Sequence, residues 1–494
     1  MPESYDFVIV GGGVIGCMLA RWLSRYQGSV LLIEKDADIC MGATAANTAI
    51  VHAGYDPLPG SLKARMNVAG NQMWDQLSGE LNFPFERRGD YVVAIGDDEL
   101  PALDTLMAQG KRNGVMGIQI LSKAEMIVRE KNISPDVSGA LWATTGGICD
   151  PFAVTVAAAE NAVMNGVKVM LNTEFQGFIM DGTRVVGVKT NRGDIQCRWA
   201  INSAGVYSDV VMHKAGVRPE FIIKPRRGEY FVFDRADITI DNVLFPVPSD
   251  KGKGILVTTT LHGNTIIGPN ANIIDDKEDR ATTKTGMDEI WEGAQRLVPS
   301  LSLKYVIAMF AGLRPYGNGP CKTPGIDYQH DYIIEIPEKV QGFINLGGIE
   351  SPGLTSAPAI AQEVVDMLKD AGEEMKEKKG WDPIRRGRPR FRDMNHEEQK
   401  RLVNMDPRYG RVICRCENVT EGEIVAEIHA PIPATTYDAI KRRTWLGTGR
   451  CQAGFDMPRV VKILADELGV SPVEVTKKGT GSEFLARPTK QVEG

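Results

Sequence analysis

The chain has no run approaching the roughly 18 apolar residues of a membrane-spanning helix, and its first residues, MPESYDFVIV, lead into a strand pattern with no signal segment ahead of it. No membrane span and a cytoplasmic location are therefore expected. Charge bias is also lacking: 57 Lys and Arg stand against 63 Asp and Glu, a formal net charge of -6. Nothing global attracts nucleic acid or an anionic lipid surface, so an anionic ligand has to be held by local cations. Internal repeats and low-complexity tracts are absent as well. With 43% hydrophobic and 24% charged residues, the 494-residue chain has the make-up of a globular protein of about three domains.

A disulfide framework is not expected either, because eight cysteines in a reducing compartment read as thiols. Cys17, Cys40, Cys149, Cys197 and Cys321 are scattered singly and read as small buried hydrophobes. Cys414, Cys416 and Cys451 cluster near the end of the sequence, which marks a separate module.

What is present is mixed α/β punctuation. Tyr5 to Val10 reads as a strand, GGGVIG as a turn, CMLARWLSRY as a helix and SVLLIEK as a second strand. GVKVMLNTEF, RVVGVKT and WAINSAG read as further strands around a helix in PFAVTVAAAENAVMNG. From about Phe221 to Ile267 strand patterns dominate, which predicts an inserted antiparallel sheet with substrate beneath it. The boundaries expected are a two-lobed domain over 1–372, a charged, proline-interrupted linker over 373–408, a cysteine module over 409–475 and a tail over 476–494. The basic cluster RRGRPRFR in the linker reads as a solvated connector, or else a docking surface.

Gly11, Gly13 and Gly16 form G-x-G-x-x-G between strand and helix, and Glu34 ends the next strand. The glycines admit a pyrophosphate to the helix N-terminus, and the acid accepts ribose hydroxyls. These residues predict a dinucleotide and leave FAD and NAD open. Two further segments bear on the choice: GGIESPGLTSAPAIAQEVVDML opens into a helix whose positive end suits a flavin on reduction, and INSAGVYSD repeats the strand-to-turn pattern.

In order along the chain, GGGVIG with Glu34, GATAANTAIVHAGYDPLPGSLKAR, INSAGVYSD, RRGEYFVF, KGKGILVTTTLHGNTIIGPNA, FAGLRP and GGIESPGLTSAPAIA resemble the D-amino-acid-oxidase-type FAD superfamily. Within it the likeness is greatest to the soluble glycerol-3-phosphate oxidases and dehydrogenases and the L-2-hydroxyglutarate oxidases, and it covers about residues 5–370. It implies a Rossmann-like FAD-binding domain with an inserted antiparallel-sheet substrate domain. It further implies a cofactor cradle of Gly11, Gly13, Val14, Ile15, Glu34, Lys35, Thr44, Asn47, Thr48, Phe175, Ala204, Gly205, Gly312, Arg314, Gly348, Ser351, Gly353, Leu354 and Thr355.

Oxidising an alcohol at a flavin requires a base for the hydroxyl proton and fixed cations for the substrate's anion. His52 is the candidate base, with small Ala53 and Gly54 beside it to allow close approach. Arg314 and Lys253 are the candidate anion holders, and Arg227, Tyr230 and Ser351 complete the expected substrate set. Asp56 stands where membrane-bound relatives carry an arginine four residues after the histidine. The reading that follows is oxidation of sn-glycerol 3-phosphate to dihydroxyacetone phosphate, with a 2-hydroxy acid such as L-2-hydroxyglutarate as the rival substrate.

CRCENVTEGEI followed by KRRTWLGTGRCQAGF resembles the ferredoxin-like [2Fe-2S] domain related to bacterioferritin-associated ferredoxin. That likeness implies a small helical iron-sulfur module with Cys414, Cys416 and Cys451 as ligands and Asp456 where the fourth cysteine is expected. Two readings of Asp456 stay open: a carboxylate ligand to iron, or a cap for the helix that follows it, in a module that has lost its cluster. Zinc is a third option for the same residues. An iron-sulfur module points to a protein electron acceptor, such as an NAD-linked flavoprotein subunit, rather than to oxygen. The rival from another class is a non-catalytic subunit that uses the module for docking.

Overall fold

The computed structural model describes residues 3–487 apart from 217, 218, 220 and 249–253. Ser4–Val10 lies at the centre of the first sheet, parallel to Val30–Ile33 on one side and to Gly193–Asn202 on the other. Lys168–Met170 and Phe343–Gly347 continue the parallel pairing outward. The hairpin strands Phe175–Asp181 and Arg184–Thr190 add an antiparallel edge. The central strands are unbroken apolar runs because helices cover them. Val14–Leu23, Pro151–Met164 and Gly353–Asp370 pack together in one core with Phe7, Ile9, Leu32 and Ile344. All the parallel strands end on the same side, so the loops after Val10, Ile33, Asn202 and Gly347 converge on one crevice, the usual ligand position in such sheets.

The second sheet runs Asn272–Ile273, Ile223–Phe233, Thr265–Gly268, Leu256–Thr259, Val243–Pro246, Asp90–Ile95, Val137–Ala143 and Ile118–Ser122, with Val306–Gly317 paired along Ile223–Phe233. It is antiparallel except where Val243–Pro246 runs parallel to Asp90–Ile95. It is therefore larger than an insertion over 221–267, because residues 90–143 supply three of its strands. Helix Lys284–Leu297 buries Ile290, Ala294 and Leu297 against it.

The segment 373–408 is not a solvated connector. The Trp381 indole donates to Ser24 Oγ at 3.1 Å, and buried Arg385 pairs with Glu160 at 2.6 Å. Arg388 bridges that same Glu160 at 2.6 Å to Glu427 of the C-terminal module at 2.7 Å. The basic cluster is thus a strap that ties the two parts together. The module itself has a short hairpin, Val412–Cys414 with Val419–Thr420, and helices Glu421–Ile428, Tyr437–Thr444 and Met457–Leu468 around their own core. Part of the expected tail belongs to it, since Phe484 packs on Tyr437. Arg442 and Arg443 reach out of the module to Asp38, just beyond Glu34, at 2.7 and 2.8 Å. Trp445 Nε1 donates to Asp150 at 2.7 Å, and Asp150 also caps helix Pro151–Met164. Of the five scattered cysteines, Cys17, Cys40, Cys149 and Cys197 are buried and Cys321 is partly exposed. Among the described residues no helix is long and apolar enough to cross a membrane.

Candidate active site

An elongated cavity of about 1000 Å³ follows the strand ends from Gly11–Ile15 and Glu34 to His52 and Arg314. At its first end Gly11 has a φ of +110°, and a side chain there would meet the Ser203 carbonyl at 2.7 Å. A Cβ on Gly16 would lie 2.0 Å from the Gly11 carbonyl oxygen, so only glycine lets the helix start this close to the strand. Gly13 takes the N-cap position without a side-chain cap, which leaves the helix end open toward the cavity. The Thr44 hydroxyl accepts from Val14 N at 3.1 Å, and the Asn47 amide fixes the turn by donating to the Thr44 carbonyl at 3.0 Å. Glu34 accepts from Gly12 N at 2.6 Å and Asp36 N at 3.0 Å. Burial raises its carboxyl above the usual range, against the lowering effect of those two amides.

Ile15, Lys35, Thr48, Phe175, Ala204 and Gly205 line this same cavity. So do Ser351, Gly353 and Leu354, where helix Gly353–Asp370 presents a second uncapped N-terminus. The glycine cradle and the two open helix ends fit FAD, whose pyrophosphate and reduced ring both need positive ends nearby.

His52 sits at the far end. Its backbone N–H donates to Thr355 Oγ1 at 2.9 Å, and its carbonyl accepts from Asn71 Nδ2 at 2.9 Å and Asn67 Nδ2 at 3.3 Å. The ring is held against Phe245 at 5.8 Å between centroids, with Nε2 3.3 Å from Ser351 Oγ. Main-chain clamping fixes the residue while leaving the imidazole in the cavity wall, the arrangement a general base needs.

Several expected residues stand elsewhere. Thr355 lies behind His52 and positions its backbone rather than facing the cavity. Gly312 lets its strand approach the Ala46 carbonyl, which a Cβ would meet at 2.3 Å, and Gly348 with φ +64° backs onto Asp331. Neither lines the cavity. Gly54 packs on Asn67 and Val68 instead of facing it. Arg227 turns away and pairs with Asp279 at 2.6 Å. Its neighbour Arg226 takes the expected place, because Arg226 lies opposite Arg314 across the strand pair and alternation sends both to one face. Lys253 lies outside the described residues.

Around Arg314 the structure gathers groups that no local motif indicated. Buried Lys63 pairs with buried Glu350 at 3.0 Å, and Arg226 stands 3.8 Å from the same carboxylate. Burial alone would raise the Glu350 carboxyl, but Lys63, Arg314 and Arg226 together hold it below the usual carboxylate range. Glu350 therefore stays charged and can offset one of three cations. Arg314 donates to the Asn270 carbonyl at 2.8 Å. Among the described residues the Nε atoms of Arg226, Arg227 and Arg314 are buried with no hydrogen-bond partner, and of these three Arg226 and Arg314 line the cavity while Arg227 does not. Unpaired buried guanidinium N–H groups are costly unless an anion reaches them. Tyr230 stacks on Phe310 at 4.5 Å, and burial pushes its hydroxyl up to about 12, so it stays protonated and can donate.

In the C-terminal module Cys416 Sγ and Cys451 Sγ are 3.6 Å apart, and buried Cys414 accepts from Gly447 N at 3.5 Å. Asp456 occupies the N-cap position of Met457–Leu468, but its side chain makes no capping hydrogen bond; Oδ1 accepts from Tyr437 OH at 2.7 Å instead. Among the described residues no three His, Cys, Asp or Glu side chains converge as one metal ion would require, which counts against a zinc site.

Comparison with known proteins agrees with this geometry. A model of the FAD dependent oxidoreductase family matches residues 6–367, and one of the BFD-like [2Fe-2S] binding domain matches 412–466. A glycerol 3-phosphate dehydrogenase of Caloramator mitchellensis is 45% identical over 98% of this chain and 99% of its own length. A glycerol 3-phosphate oxidase of Mycoplasma pneumoniae is 32% identical over 74% of this chain and 95% of its own. The solved structure of dithionite-reduced L-alpha-glycerophosphate oxidase from Mycoplasma pneumoniae, with FAD bound, superposes with a TM-score of 0.71 at 31% identity, covering 78% of this chain and 100% of that one. The chain belongs to the FAD dependent oxidoreductase family and carries a BFD-like [2Fe-2S] binding domain behind its flavin fold.

Proposed function

We propose that the chain oxidises sn-glycerol 3-phosphate to dihydroxyacetone phosphate and passes the electrons to a protein acceptor, such as an NAD-linked flavoprotein subunit. The observation that carries the substrate reading is the pair of buried, unpartnered guanidinium N–H groups of Arg226 and Arg314 at the His52 end of the cavity. They suit a compact anion carried on a short chain beside a secondary alcohol. FAD, when bound, supplies the two-electron acceptor for the carbinol hydrogen. Arg226 and Arg314 hold the phosphate, and Lys253 is proposed as a further cation. Tyr230 and Ser351 orient the substrate, and His52 takes the hydroxyl proton as the ketone forms. The 45% identity to a glycerol 3-phosphate dehydrogenase along nearly the whole chain supports this reading. The attached [2Fe-2S]-type module supports a protein acceptor, since delivery to oxygen needs no such relay.

Anaerobic mixing with sn-glycerol 3-phosphate should bleach the flavin, and L-2-hydroxyglutarate should leave it oxidised; the opposite pattern would overturn the substrate. Turnover should be fast with an artificial electron acceptor and slow with oxygen alone, and the reverse order would make the chain an oxidase.

The register of the two arginines gives a sharper test. Arg226→Ala should lower kcat/KM for glycerol 3-phosphate by about 10–100-fold, the worth of a charge-assisted hydrogen bond. Arg227→Ala removes a buried cation that pairs with Asp279 and does not line the cavity, so it should lower folding stability but leave kcat/KM per folded flavoprotein within about threefold. Equal losses in the two variants would remove Arg226 from the site.

A further inference from the structure

We propose that Asp456 is a ligand of a binuclear iron-sulfur cluster in this chain, sharing one iron with Cys414 while Cys416 and Cys451 share the other, and that the Tyr437 hydroxyl positions the Asp456 carboxylate. The inference does not depend on which substrate reduces the flavin.

The four groups stand as two pairs. Cys416 and Cys451 bring their sulfurs to 3.6 Å, close to the separation of two thiolates on one tetrahedral iron with bonds of about 2.3 Å. Cys414 and Asp456 form the other pair, with the carboxylate next to the thiol. A single ion needs three or four ligands from the protein, and among the described residues no such group exists. A [2Fe-2S] cluster needs only two per iron, because bridging sulfides complete each tetrahedron. Two ligand pairs match what a binuclear cluster asks of the protein.

Asp456 is built into this place rather than left over. Its side chain is 1% exposed, and it does not cap the helix it precedes. Oδ1 accepts from Tyr437 OH at 2.7 Å, while Oδ2 is buried with no hydrogen-bond partner among the described residues. A buried carboxylate oxygen without a partner is expensive, and iron bound at Oδ2 removes that cost. A hydrogen bond to a ligand oxygen draws electron density from the metal, the usual way an outer group tunes a potential. Gly449 completes the fit: a Cβ there would meet Cys416 Cβ at 2.5 Å, so only glycine allows the two cysteine loops to close together.

The test uses the full-length flavoprotein, reconstituted anaerobically with ferrous iron and sulfide under reducing conditions and then desalted. Iron and acid-labile sulfide are measured per flavin, with EPR after dithionite reduction. The parent chain should hold about two irons and two sulfides. Asp456→Asn keeps the shape and the Tyr437 contact but loses the anionic ligand, so cluster content should fall at least about tenfold with flavin content unchanged. Asp456→Cys should keep the content and shift the EPR g-values. Tyr437→Phe should keep the content and lower the cluster's reduction potential. A parent without iron whose Asp456→Cys variant takes up a cluster would overturn the proposal, as would equal clusters in the parent and Asp456→Asn. So would one zinc without sulfide. If Asp456→Asn fails to fold, as judged by lost flavin, indistinguishable EPR spectra for the parent and Asp456→Cys remain the overturning result. An unchanged potential in Tyr437→Phe removes the role given to that hydroxyl.

Discussion

A His52→Ala chain is expected to reduce its flavin with glycerol 3-phosphate about 10²–10⁴-fold more slowly than the parent, the usual worth of a positioned general base, while binding FAD normally. The second half of that expectation follows from how the residue is held. Thr355, Asn67 and Asn71 all grip the His52 backbone, through its N–H and carbonyl. Those bonds survive removal of the imidazole, so the strand and the helix behind it keep their places. Only the ring is lost, and with it the contacts to Ser351 Oγ and Phe245. Anaerobic stopped-flow bleaching at saturating substrate separates the base from a purely structural role. A structural histidine would cost flavin content or stability and leave the rate per bound flavin unchanged, and that outcome would move the proton acceptor elsewhere. A non-catalytic subunit would show no bleaching in either chain.

What the sequence made legible is what is local in the chain. Gly11, Gly13 and Gly16, followed by Glu34, encode a strand, a turn and a helix start within some 25 residues, and the structure puts Gly11, Gly13 and Glu34 in the wall of the cavity. His52 and Ser351 were legible through their motifs and meet at 3.3 Å although 299 residues separate them. Arg226 was not legible, because RRG offers two arginines and only the cross-strand register with Arg314 decides which one faces inward. Lys63 and Glu350 were missed for a related reason: each makes sense only beside the other, and a buried ion pair across 287 residues leaves no periodicity to read. The linker was misread because its charge density resembles a solvated segment, whereas Glu160 and Glu427 supply buried partners for its arginines. The second sheet was underestimated because Asp90–Ile95 pairs with Val243–Pro246, far later in the chain, and so brings Val137–Ala143 and Ile118–Ser122 into the same sheet, which strand patterns alone do not reveal.

Asp38→Ala is expected to destabilise the join between flavin domain and C-terminal module by about 3–5 kcal/mol, the cost of orphaning buried charge. Asp38 and Arg443 are each 1% exposed at the side chain, and Arg442 is 10% exposed, so water cannot replace the lost carboxylate. Arg443 has Glu427 only at 3.8 Å as another acid. Urea titration followed by protease cleavage within 373–408 should show the module releasing at lower denaturant, and added salt should change little because the pair is shielded from solvent. The pH dependence has a definite sign. Burial would raise the Asp38 carboxyl, but Arg443 and Arg442 outweigh it and hold the folded value below the usual aspartate range. A depressed folded pKa stabilises fully above the unfolded value, about 3.9, and the stabilisation is lost as pH falls through the folded value. The stability gap between the parent and Asp38→Asn should therefore be constant from about pH 5 to 8 and close as the pH drops below about 4. A gap that instead narrowed between pH 6 and 8 would place the controlling charge on another group, and no gap at any pH would mean that Trp445 and the strap arginines hold the module without Asp38.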